Sequence, residues 1–355
     1  MERRDLLRAG GVMAAASMAG CSGLVETQAG NVPPVLEDRP DGVYHPTHVE
    51  GMDVVDTATG GDYAVGLFYS YPHRFWNVNG DDVSITEIDR DDAVHLMASV
   101  WDRETETVLP DTGLSAEIYR DGSLVSQEAI YPMLSQPMGF HYGANFGLDG
   151  DGTYDVRLSV GAMATRRTGA FEGRFTDPAT VEVPFEYSES AKAEIDFRQL
   201  DDAGAPGAVD PMSMGSIPTA VAPAESGLPG TVLGAGTSDD ARLVVTALDD
   251  PPAGVDGTGT YLAVSARTRY NRMVIPAMAL SATLDRDGET VVEADLERTL
   301  DPELGYHYGA AVERVTSGDE LTLSVTVQPQ TARHEGYETA FGGLLGGMSD
   351  VTIRV

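Results

Sequence analysis

Lysine is nearly missing from this chain. Lys192 is the only one, and arginine supplies the rest of the 23 basic residues, against 56 acidic ones and a formal charge of −33. Phosphate recognition needs a basic face, so nucleic acid is not expected as a partner. Acidity with so little lysine fits a halophilic protein kept soluble in brine. At molar salt the Debye length is about 3 Å, too short for the surface charge to steer ions from afar. Cysteine is almost as scarce: Cys21 is the only one, so no disulfide can form within the chain. No run of 18 apolar residues occurs, and helical periodicity is weak throughout. Catalytic signatures are missing too. There is no Gly-x-Ser-x-Gly, no phosphate-cradling glycine loop and no His-Glu-x-x-His, so an enzyme is not expected.

What is present begins with an address. Arg3-Arg4-Asp5-Leu6-Leu7 is a twin-arginine signature, and a short apolar run follows from Gly10 to Ala19. It ends in Met18-Ala19-Gly20-Cys21, which resembles a lipobox. Residues 1–20 are therefore expected to be a cleaved signal, with lipid attached at Cys21. The mature protein would be extracytoplasmic and held to the cell membrane by that lipid. Residues 21–42, rich in Gly, Pro and acidic side chains, read as a tether.

Beyond the tether, strands dominate. Tyr63 to Tyr71 is aromatic and β-branched, and Asp92 to Trp101 alternates. In the latter, His95, Met97, Ser99 and Trp101 share one face. Leu114 to Tyr119 turns at Asp121-Gly122 into Leu124 to Ile130, a hairpin signal. Tyr154, Val156, Leu158 and Val160 alternate strictly, and Thr180 to Tyr187 makes a last strand. Short strands at this spacing predict an all-β fold of β-sandwiches.

The pattern occurs twice. His141-Tyr142-Gly143-Ala144 returns as His307-Tyr308-Gly309-Ala310, a separation of 166 residues (307 − 141). The same offset relates Leu114-Ser115-Ala116 to Leu280-Ser281-Ala282, and Arg120-Asp121-Gly122 to Arg286-Asp287-Gly288. A fixed offset means a duplicated domain. The expected boundaries are 43–198 and 237–355, joined by a linker at 199–236 that is partly ordered at best.

Five of the seven histidines lie in the first copy: His45, His48, His73, His95 and His141. Met97, Met133 and Met138 are near them in sequence, and imidazole with thioether favours copper over hard, oxygen-seeking ions. His95 and Met97, two apart on one strand face, can address one ion. Met133 to Asn145, followed by Gly152-Thr153-Tyr154-Asp155-Val156, resembles the periplasmic iron-transport family of metal-binding proteins. The resemblance covers roughly residues 60–190 and is tight only over 131–158. It implies an immunoglobulin-like sandwich and a role in ferrous-iron uptake beside a membrane permease. It implies as ligands His95, Met133 and His141, with Met97 where the family has an acid. A further family histidine belongs to a later loop, which here reads Ala162 to Arg167 without one. His73, or His45 and His48, are the candidates to replace it, and Met138 rivals Met133. Family members are often homodimers with the site near the contact, and the two copies here could pair within one chain instead.

In the second copy, Tyr261, Ala263 and Thr299 stand where His95, Met97 and Met133 do, so a metal site of its own is not expected there. His307 matches His141, and His334 aligns near Arg167. The competing expectation for the whole chain is a structural or adhesive sandwich lipoprotein whose histidines and methionines are core.

Overall fold

Period-two alternation builds the first sandwich. In Leu114–Arg120, residues Leu114, Ala116 and Ile118 point inward; Gly152–Val160 repeats this with Tyr154, Val156, Leu158 and Val160. With Ala179–Tyr187 and Ser123–Ala129 they form a four-stranded antiparallel sheet. The computed structural model describes residues 35–344 and 346–355, so the signal reading and Cys21 lie outside the described residues. No helix among them is long and apolar enough to cross a membrane.

Tyr63–Ser70 and Val94–Asp102 are buried along their whole length, as strands covered on both faces must be. They lie side by side in an eight-stranded sheet. Its order is Asp53–Gly60, Tyr63–Ser70, Val94–Asp102, Gly139–Phe146, Tyr131–Ser135, Ala332–Arg333, Phe75–Asn79 and Asp82–Thr86. Tyr69 of this sheet meets Phe185 of the other, ring centroids 5.0 Å apart, within the core that closes the sandwich. The fold is all-β, as the alternation predicts.

The second half repeats this plan as one nine-stranded sheet. The difference lies in a single strand. Glu289–Asp301 runs unbroken and pairs with Ala279–Arg286 over its first part and Gly305–Val312 over its last. The equivalent residues 123–135 are split into Ser123–Ala129 and Tyr131–Ser135. The hairpin turns agree with expectation: Asp121 and Gly122 have φ of 51° and 75°, and Asp287 and Gly288 have 53° and 83°. Two successive positive φ values define the tight turn that Asp-Gly favours.

Met133 to Asn145 is also a hairpin. The small residues after His141 suggest a turn there, yet the turn precedes it, at 136–139, where Gly139 has φ of 69°. Gly143 and Ala144 lie within the Gly139–Phe146 strand.

The halves exchange strands. Ala332–Arg333 pairs in parallel with Tyr131–Ser135, setting Ala332 opposite Met133. Reciprocally, Arg166–Arg167 pairs in parallel with Glu289–Asp301, setting Arg166 opposite Thr299. The His334 N–H donates to Leu134 O (3.1 Å), and the Thr168 N–H donates to Leu300 O (3.0 Å). His334 therefore corresponds to Thr168, not to Arg167 as the sequence alignment suggests, and the offset of 166 holds without a gap (334 − 168). The stretch expected as a linker is packed: Met214, Ile217, Ala220 and Ala222 are buried in the main core.

Candidate metal centre

Strand pairing brings the first copy's candidate ligands together. In the antiparallel register Asn145 lies opposite His95, Gly143 opposite Met97, and His141 opposite Met133. His334 arrives from the second half, one residue beyond the inserted Ala332–Arg333 strand. A ring nitrogen from each of His95, His141 and His334 lies within 4.8 Å of the others.

Hydrogen bonds set which nitrogen is free. The His95 Nδ1–H donates to Asn145 Oδ1 (2.8 Å), and the His141 Nδ1–H donates to Gly139 O (3.0 Å). Asn145 is itself fixed, since its Nδ2 donates to His73 O (2.9 Å) and its Oδ1 also accepts from the His73 N–H (3.1 Å). An acceptor at Nδ1 puts the proton there and leaves the Nε2 lone pair bare, the arrangement that orients metal-binding histidines. The Nε2 atoms of His95, His141 and His334 are all buried without a hydrogen-bond partner. That is so even for His334, which as a residue is partly exposed. One buried unpaired acceptor costs about 1–3 kcal/mol, so two of them, beside the unpartnered His334 Nε2, call for an electrophile.

Gly143 makes the room. A Cβ there would lie 2.7 Å from His95 Nε2 and 3.0 Å from Met133 Sδ. The Met133 sulfur thus borders the same space as the imidazoles. Met97 and Met138 line the adjoining cavity. His73 stands at the edge of the cluster, its ring centroid 4.6 Å from that of His95 and 5.2 Å from that of His334. His45 is elsewhere, paired with Asp202 (2.7 Å).

Burial holds the His95 ring down at about 3 and the His141 ring at about 4, and pushes His334 well below the ordinary imidazole range. The unfolded chain takes up these protons near 6.5. Between the two ranges the unfolded state binds more protons, so the contribution of these rings to stability rises with pH and is lost as pH falls. Ring-nitrogen NMR of the metal-free chain should show His95 and His141 neutral, with the proton on Nδ1, at about pH 5.5. A protonated ring at that pH would contradict the site geometry.

The second copy shows the same frame closed. His307 Nδ1–H donates to Gly305 O (3.0 Å), as His141 does to Gly139, but His307 Nε2 accepts from the Tyr261 hydroxyl (2.9 Å). A Cβ on Gly309 would collide with that hydroxyl, so Tyr261 fills the space that Gly143 leaves open in the first copy. Arg166 from the exchanged strand caps it, donating to Gly309 O (2.7 Å), to Tyr261 Oη (3.1 Å) and to Thr299 Oγ1 (2.8 Å). A guanidinium stands beside this site where the other centre has three unpartnered ring nitrogens.

Sequence reasoning finds His95, His141 and Met133 but does not place His334 among them. Its signal is that it aligns with the later loop in which the resemblance expects a histidine, but in the second copy, and the strand exchange that delivers it to the first leaves no periodic trace.

A family model for a domain of unknown function, DUF7350, matches residues 73–184 and 226–353, more than half of the chain and one segment in each copy. The chain belongs to the DUF7350 family. The segments of this DUF7350 chain include His73, His95, Met133 and His141 in the first, and His307 and His334 in the second. No curated protein matches. Solved structures similar to it include a copper-bound variant of FetP from uropathogenic Escherichia coli strain F11, at 19% identity, covering 38% of this chain and 97% of that one, with a TM-score of 0.30. The as-isolated form of FetP is similar at 17% identity, 40% and 96% coverage and a TM-score of 0.28. A copper-bound variant of Campylobacter jejuni P19 is similar at 18% identity, 40% and 97% coverage and a TM-score of 0.28.

Proposed function

We propose that this chain is an extracytoplasmic metal-binding protein whose centre is formed by His95, His141, His334 and Met133. One observation carries the reading: three buried imidazole nitrogens without partners converge beside a thioether sulfur. Three imidazoles and one thioether form a soft set, which suits Cu(I) ahead of ferrous iron. Neutral rings at physiological pH need lose no proton before binding. The leader order of twin arginine, apolar run and Ala19-Gly20-Cys21 supports export and lipid anchoring. The family resemblance supports metal uptake, with the ion handed to an iron permease of the membrane. The exchange of strands between the two copies supports an in-chain pairing in place of a homodimer.

The direct test is loading. Purified full-length chain, titrated with Cu(I) under reducing conditions against a chromophoric chelator, should bind one tight equivalent. A chain that takes up neither Cu(I) nor Fe(II) would be the structural or adhesive sandwich instead.

A further inference from the structure

A cavity of about 110 Å³ opens beside the tri-histidine centre, lined in part by His48, Glu50, Ser70, His73 and Glu335. Glu50 is almost buried there, and its ion pairs among the described residues are both with histidines. Its Oε1 lies 3.1 Å from His48 Nε2, and its Oε2 lies 3.2 Å from His73 Nδ1. The Ser70 hydroxyl does little for it, since it donates to Gly51 O (2.7 Å) and reaches Glu50 only at 3.4 Å.

On its other side, His48 Nδ1 lies 2.9 Å from Thr47 Oγ1 and 3.9 Å from Glu335 Oε2. A nearly buried carboxylate flanked by two imidazole nitrogens is a place for a cation, a proton or a metal ion. Two imidazoles and one carboxylate are the donor set of non-haem ferrous sites, with room left for water.

We propose that His48, Glu50 and His73 form a second cation-binding position, outer to the tri-histidine centre, that takes a divalent transition ion. It is harder than the inner centre, because a carboxylate replaces the thioether. It also adjoins the inner centre, since the His73 and His95 rings are neighbours. Glu50 and His48 come from the short His48–Glu50 strand, which pairs with Phe197–Gln199 outside the main sheets and outside the segments matched by the family model.

Co(II), an air-stable stand-in for ferrous iron, tests this by equilibrium dialysis and visible absorption on the full-length chain. His141→Ala removes an inner ligand and should leave one equivalent of Co(II) bound. Adding Glu50→Gln to that background should weaken Co(II) at least about tenfold, the lower end of what loss of a supporting group commonly costs at a metal site. His48→Asn is the parallel variant, with the same expectation, should Glu50→Gln not fold by circular dichroism. Co(II) affinity unchanged by both substitutions, or no Co(II) bound by the His141→Ala chain, would overturn the outer position. Cu(I) affinity measured on the same proteins keeps the two centres apart, because the inner one fails only if His141→Ala leaves Cu(I) binding intact.

Discussion

Replacing His334 with alanine is expected to weaken Cu(I) binding by at least about 100-fold, because the loss of a group that only supports a ligand commonly costs 10–100-fold and His334 is proposed as a direct ligand. This residue belongs to the second copy, whose own centre is closed. A large loss would show that the binding unit needs both copies. The fold should survive. The inserted strand is held by its own Arg333, whose buried guanidinium donates to Pro329 O (3.2 Å) and Phe341 O (3.2 Å), and by the packing of Ala332 with Met133 and Phe75. His334 contributes its backbone N–H to that arrangement, which alanine keeps. The matched control is His307→Ala, which should cost about 1–3 kcal/mol of stability by removing the acceptor of the buried Tyr261 O–H, with Cu(I) affinity unchanged. Competition titration and thermal unfolding of the two variants check both statements. Equal Cu(I) affinity in the His334→Ala and wild-type chains would remove His334 from the centre.

Gly143→Ala is the second large effect. Gly143 lies in a strand, and its φ is not positive, so alanine suits the backbone. The added methyl falls beside His95 Nε2 and Met133 Sδ, where the proposed centre would hold its ion. The ring and the sulfur must yield by a few tenths of an ångström, at a cost of about 1–3 kcal/mol for overpacking. Metal binding should suffer far more than stability, with Cu(I) affinity reduced by about 100-fold or more. The same titration checks this. A Gly143→Ala chain that binds Cu(I) as the wild type does would mean that the ion is held elsewhere.

Much of the centre is legible in the sequence because its chemistry is local. His141, Gly143 and Asn145 sit within five residues, and they supply in turn the proposed ligand, the open space and the orienting partner. Met133 enters opposite His141 through a hairpin, a contact between residues close in sequence. Met138 is a rival on spacing alone; the hairpin sets Met133, not Met138, opposite His141, and Met138 lines the adjoining cavity. Met97 shows what alternation cannot tell. It shares a strand face with His95, but face membership does not fix where a flexible sulfur ends, and the structure places Met97 in the main core beside the cavity. His334 is out of reach for another reason. It follows directly on a two-residue strand paired with a segment about 200 residues away in sequence, too short for any period. The offset of 166 reveals the duplication, but it is silent on which copy completes which site. The linker at 199–236 looks loose because Ala, Gly and Pro dominate it, although small residues also suit close packing, and Ile217 lies against Gly66 and Trp101.

X-ray absorption at the copper edge tests the central claim most directly, on full-length chain loaded with one equivalent of Cu(I). The expected environment is three imidazole nitrogen neighbours and one sulfur, matching His95, His141, His334 and Met133, with one imidazole lost in the His334→Ala chain. A copper environment without sulfur, or one that His334→Ala leaves unchanged, would contradict it.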